Sequence, residues 1–216
     1  NKDSLGIRLF GFDDTGFKFY LNSGFAGNDH SFTVVVAGVD YVELLSLDGL
    51  ISKTITLKDG DYELLIEDRF VGDAMGANFT PYVAMYRTDG KPLDARSGFF
   101  ENSSYTVVAF NTPDDPYVTF RLRSIDERKE FLQRGGWLAF IQKYFMAAIL
   151  TPSDREQTLT VIPPNASGGV FVMAAMSNEV QDFDLHSGAE HRVFLGPKLL
   201  TVVITRAAAL ELPISF

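Results

Sequence analysis

Ile51-Ser-Lys-Thr-Ile-Thr-Leu-Lys-Asp-Gly-Asp-Tyr-Glu-Leu-Leu-Ile-Glu67 reads as two strands joined by a turn. Successive side chains of a strand point to opposite faces, so residues two apart share a face. On that period Ile51, Ile55 and Leu57 lie together, with the Lys53 stem between them. Tyr62, Leu64 and Ile66 form a second apolar face, backed by Glu63 and Glu67. Between the runs, Lys58-Asp-Gly-Asp61 has turn chemistry, because glycine takes a positive φ without steric cost and aspartate bonds its own backbone.

The same pattern extends in both directions. Ser31–Ala37, Asp40–Leu47, Leu50–Leu57 and Asp61–Asp68 are four β-rich runs separated by turn residues. Thr80–Arg87, Tyr105–Phe110, Tyr117–Arg123, Gln157–Ile162, Val170–Met176 and Glu190–Leu195 continue the series. Thr112-Pro-Asp-Asp-Pro116 and Pro163-Pro-Asn-Ala-Ser-Gly-Gly169 are loops by composition. Many short strands at near-regular spacing predict a sandwich or barrel.

Two segments depart from the two-residue period. In Trp137–Ala148 the positions 137, 140, 141, 144, 145 and 148 are apolar, with Gln142 and Lys143 opposite, which predicts a short amphipathic helix. In Gly196-Pro-Lys-Leu-Leu-Thr-Val-Val-Ile-Thr-Arg-Ala-Ala-Ala-Leu210, Pro197 suits a first helical position. Lys198, Thr201 and Thr205 form a narrow polar stripe there, which predicts a second helix, packed on the sheet or turned toward a membrane or a partner helix. No internal repeat or linker divides residues 1–216, so one domain is expected.

Composition narrows the function classes. Of 216 residues, 46% are hydrophobic and 19 are phenylalanine, enough for a folded β core. A net charge of −9 without a basic cluster repels phosphate backbones and argues against nucleic-acid binding and against flat docking on anionic lipid. The absence of cysteine removes disulfides, thiol chemistry and cysteine zinc sites. No run approaches the roughly 18 apolar residues that span a bilayer, and Asn1–Gly6 has no signal-peptide character.

Candidate chemistry is sparse. His186 and His191 are five residues apart across a glycine, the wrong spacing for a helical metal pair, and read with His30 as solvated loop residues. Asp13-Asp14, Asp114-Asp115 and Asp182/Asp184 sit in turn-like contexts that turn chemistry explains. Gly135-Gly136 precedes a predicted helix and could hold an anion, but fits tight backbone packing beside Trp137 better. Asn78, Asn102 and Asn165 begin glycosylation sequons that are short enough to arise by chance. No nucleophile elbow, phosphate loop, metal set or cofactor motif is present in the sequence.

Arg134-Gly-Gly-Trp-Leu-Ala-Phe-Ile-Gln-Lys-Tyr-Phe-Met-Ala-Ala-Ile-Leu-Thr-Pro152 contains the only tryptophan. It resembles the Gly-Gly-Trp…Gln-x-Tyr-Phe…Pro segment in the large periplasmic domain of the YidC family of bacterial membrane protein insertases. Three further stretches resemble that family in the same order. They are Lys53–Leu64 around Lys58-Asp-Gly-Asp-Tyr62, Tyr105–Tyr117 around Thr112-Pro-Asp114, and Val193-Phe-Leu-Gly-Pro-Lys198. Together the similarity covers roughly residues 20–212.

The resemblance implies a β-supersandwich like galactose mutarotase, with short helices at the C-terminal end. It implies a non-enzymatic periplasmic domain of a Gram-negative inner-membrane protein, without a cofactor, truncated at its N-terminal strands. Implied partners are the Sec translocon and nascent inner-membrane proteins, reached through the full-length insertase, with the last helix close to the membrane. It singles out Gly135, Gly136, Trp137, Gln142, Tyr144, Phe145, Gly196 and Pro197 as structural or interaction residues. The competing expectation is a carbohydrate-binding or mutarotase-like enzyme on the same architecture, which needs a matched acid–base pair.

Overall fold

The computed structural model describes residues 19–25, 30–57, 62–71, 80–88, 107–111, 117–141, 145–163, 170–177 and 188–197. These residues form two antiparallel sheets. The smaller has the order β1 (Phe19–Phe25), β6 (Pro81–Thr88), β13 (Val170–Ser177), β12 (Glu156–Ile162) and β9 (Lys129–Arg134). The larger runs β2 (Phe32–Ala37), β3 (Tyr41–Ser46), β4 (Ile51–Leu57), β5 (Glu63–Phe70), β14 (Gly188–Pro197), β11 (Phe145–Leu150), β10 (Trp137–Ile141), β7 (Val107–Asn111) and β8 (Val118–Arg121). A 3-10 turn, Leu122–Ser124, follows β8.

One apolar cluster joins the sheets as the core of a β-sandwich. Ile66, Val108, Leu138 and Val193 from the larger sheet meet Met85 and Leu159 from the smaller, all almost wholly excluded from water. The predicted all-β class and its strand runs are present, each within about two residues of the expected bounds. β1 and β9 are additional strands that the sequence pattern did not reveal.

The helix expected over Trp137–Ala148 is absent. Its place is taken by β10 and β11, paired in register from Trp137 opposite Leu150 to Ile141 opposite Met146. Leu138, Phe140 and Ile149 enter the sandwich core. Trp137, Ala139, Ile141 and Met146, on the other face, are buried in a second cluster with Ala109 and Phe194. A strand buried on both faces has no polar alternation, and an unbroken apolar run also satisfies a helical period. The second expected helix lies outside the described residues after Pro197, which itself closes β14.

The β4–β5 hairpin follows its predicted period except at three residues. Ile51, Ile55, Leu64 and Ile66 are buried, whereas Leu57 and Tyr62, beside the turn, are 46% and 44% exposed. Glu63, expected on the polar reverse face, is buried at 8% exposure, and Arg192 of β14 donates from Nε to its carboxylate.

Candidate functional site

The Gly-Gly-Trp segment builds a corner of the sandwich. β9 belongs to the smaller sheet and β10 to the larger, and Gly135-Gly136 carries the chain between them. The return crossing, Thr151–Arg155, connects β11 to β12 beside it. The crossings are stitched together: the Gly135 amide donates to the Pro152 carbonyl (2.9 Å) and the Thr151 amide to the Gly136 carbonyl (3.0 Å). The whole is one long hairpin bent across two sheets, with Arg134 opposite Glu156 on one side of the bend and Trp137 opposite Leu150 on the other. Gly135 and Gly136 have φ of 67° and 89°, in the left-handed region that a Cβ disfavours. Trp137 plugs the corner at 8% exposure, 6.2 Å from the ring of Tyr117, itself at a φ of 62°.

A cleft of about 300 Å³ opens at this corner. The return crossing lines one side, from Leu150 to Arg155, and Glu190 and Arg192 of β14 line the other. Thr151 is buried there, and its hydroxyl has no hydrogen-bond partner among the described residues. Two cations stand against two carboxylates in the lining, so the cleft is polar without a dominant sign.

Gly196 serves a different purpose. A Cβ there would stand 2.7 Å from Tyr62 Cγ and 2.8 Å from Phe194 Cζ, so close packing of these rings requires glycine. Pro197 pairs with Phe145 at the end of β14 and β11. Gln142 and Tyr144 lie outside the described residues. The corner residues 135–137 and the strand-end residues 196–197 therefore do not converge on one point: Trp137 is opposite Leu150, whereas Pro197 is opposite Phe145, at the far end of β11.

One buried polar cluster among the described residues was not singled out by the sequence. Lys53 Nζ donates to the Ser23 carbonyl (2.9 Å), the Ser23 hydroxyl (2.5 Å) and Asp68, using all three protons. Ser23 Oγ donates onward to the other Asp68 oxygen (2.6 Å). Ser23 belongs to β1, Lys53 and Asp68 to β4 and β5, so the cluster ties the two sheets together. Burial pushes the Lys53 ammonium below its ordinary value, and Asp68 opposes that shift. The signal was present in part: Lys53 sits on the buried face of β4 between Ile51 and Ile55, and Asp68 follows Ile66 at the same period.

His191 belongs to this neighbourhood. It is buried in β14, not solvated in a loop as expected, and its Nε2 has no partner among the described residues. Burial lowers its pKa to about 4; Asp68 resists, while Lys53 and Arg155 add to the depression. It is therefore neutral at pH 7. His30 contacts Asp48 through Nδ1 at 2.8 Å, and His186 lies outside the described residues. The aspartate pairs at 13–14, 114–115 and 182/184 and the three sequon asparagines also lie outside them. Among the described residues, no His/Asp/Glu group has the arrangement to hold a metal ion, and no helix is long and apolar enough to cross a membrane.

A family model described as the YidC periplasmic domain matches residues 44–216. A protein from Methylococcus capsulatus named membrane protein insertase YidC is 28% identical over 226 residues, covering 94% of this chain and 40% of that protein. Proteins of the same name from Pseudoalteromonas translucida and Hahella chejuensis are 24% and 28% identical, covering 76% and 65% of this chain and 30% and 24% of their own length. The chain thus spans at most about two fifths of these curated relatives.

Proposed function

The chain belongs to the YidC periplasmic domain family, and from that premise we propose that it is a single non-catalytic domain on the periplasmic side of an inner-membrane protein insertase. Its work is scaffolding and contact with partners, namely the Sec translocon and nascent inner-membrane proteins. Insertion itself falls to the rest of the protein, where polar segments must be shielded from hydrocarbon. The family match over residues 44–216, which includes the glycine–tryptophan corner, is the observation that carries this reading.

The chemistry of the described residues supports a scaffold. Asp68, Lys53 and Ser23, an acid, a base and a hydroxyl that bond to one another, do so inside the sandwich. An enzyme acting on a soluble substrate needs such groups open to the reacting atoms. Here Asp68 is 0% exposed and Lys53 5% exposed.

The test uses the full-length insertase. Removing the domain is expected to lower co-purification of Sec components and crosslinking to nascent clients, while the purified chain leaves aldose mutarotation at the buffer rate. Unchanged Sec and client contacts without the domain would contradict the partner role. Accelerated mutarotation would contradict the non-catalytic one.

A further inference from the structure

The sandwich has four sheet edges among the described residues, and three are blunted. β9 carries Lys129, Glu130 and Arg134. β8 is only four residues long. β1 has four of its seven residues buried. Charge, shortness, bulges and cover are the usual means by which a protein prevents a sheet from growing. Of these β2 has only a bulge. Its sequence, Phe-Thr-Val-Val-Val-Ala, is uncharged and rich in β-branched residues; Val34, Val35 and Val36 are 39%, 58% and 37% exposed. One bulge, between Val34 and Val36, is its only irregularity.

We infer that β2 is a strand-addition site for an extended, uncharged, β-branched polypeptide segment with a basic residue at its N-terminal end. The unpaired edge of β2 offers backbone donors and acceptors to such a segment, and the valines offer shallow apolar contact. Antiparallel addition places the N-terminus of the added strand beside the C-terminus of β2. There Asp40 is exposed in the turn and Glu43 is half-buried opposite Val36, so a cation at that end is complemented. A second copy is the poorer occupant. Six residues a side fall well short of the roughly 20–30 residues a side of a stable protein interface, and two copies that each carry a net charge of −9 repel one another. A short, transient peptide contact suits the edge, and its source as a client of the insertase rests on the function proposed above.

The probe is a fluorescein-labelled peptide, Lys-Thr-Val-Thr-Val-Thr-Val, titrated with the 216-residue chain and followed by anisotropy. Saturable binding is expected. Val35→Lys, at a solvent-facing position, is expected to weaken it about tenfold or more, with the circular dichroism spectrum and melting temperature unchanged. Val35→Thr, which keeps a β-branched uncharged edge, is expected to retain it. Replacing the central valine of the peptide by proline removes a backbone donor and is expected to abolish binding; a glutamate in place of its lysine is expected to weaken it. Equal binding of the proline peptide, or no effect of Val35→Lys, would overturn the assignment. Self-association of the chain that Val35→Lys abolishes would also overturn it, in favour of a second copy. Photocrosslinking of clients in the full-length insertase separates the two levels. Client crosslinks to the domain away from β2 sink the edge assignment alone, whereas no client crosslink anywhere on the domain sinks the proposed function as well.

Discussion

The two central hairpins of the larger sheet are stabilised in different ways. β4–β5 buries an ion pair on its inner face, while its outer face carries Thr54, Thr56 and Glu67. β10–β11 is apolar on both faces, with Leu138 and Phe140 in one cluster and Trp137, Ala139 and Ile141 in another. Packing of β10–β11 follows from dispersion and water exclusion, which tolerate no void. The geometry of β4–β5 is fixed by groups that are costly to leave unpaired. Non-directional packing can be partly repaired by relaxation, but a buried charge without its partner cannot.

That contrast sets the largest predicted effects. Lys53→Met leaves Asp68 buried and unpaired, and should cost about 3–5 kcal/mol in denaturant unfolding. Trp137→Ala empties the corner of a nearly enclosed ring and should cost roughly 3–5 kcal/mol as well. The two should respond differently to a second substitution. Asp68→Leu removes the orphaned charge and should reverse much of the Lys53→Met loss, whereas it should not relieve the Trp137→Ala defect. Equal responses of the two variants would erase the distinction.

His191 sharpens the comparison on the pH axis. Its pKa is about 4 when folded, against 6.5 for an exposed imidazole. Between those values the unfolded chain binds the proton and the folded chain does not. Stability therefore falls as pH drops from about 6.5 to about 4 and levels off below that, with roughly 3 kcal/mol lost from this group. His191→Leu should remove that part of the slope. A variant whose stability tracks the parent across the window would show that His191 is not buried neutral.

Smaller effects test the backbone. Gly196→Ala should cost about 1–3 kcal/mol through overpacking against Tyr62 and Phe194. Gly136→Ala should cost about 1–2 kcal/mol through its left-handed φ. If Gly196→Ala were neutral in thermal melts, the close approach of the Tyr62 ring would not constrain this position.

The sequence showed most strands but the buried faces of only some of them. Half-buried strands such as β4 and β5 keep an alternating pattern, so their existence and faces were readable from Ile51, Ile55, Leu64 and Ile66. β10 and β11 lost that pattern because both faces are buried, and a helical period was read in its place. β9 was missed because Lys129, Glu130 and Arg134 make an edge strand look like a solvated loop. The sequence places the Gly135-Gly136 pair beside Trp137, but its position between the sheets depends on which strands pair, and sequence period does not report that. Lys53 was seen on an apolar face and treated as a stem. Asp68, 15 residues away, stands opposite Lys53 in the β4–β5 hairpin, whereas Ser23, 30 residues away, reaches them only through the stacking of the two sheets.

The most direct test is a thermodynamic cycle on the buried cluster, measured by urea unfolding at pH 7. It compares the parent chain with Lys53→Met, Asp68→Leu and the combined Ser23→Ala/Lys53→Met/Asp68→Leu variant. If pairing fixes β4–β5, each single variant loses about 3–5 kcal/mol and the combined variant regains most of it, since no charge remains to be satisfied. Single losses below about 1 kcal/mol, as for an exposed pair, or a combined loss equal to the sum of the single ones, would contradict it.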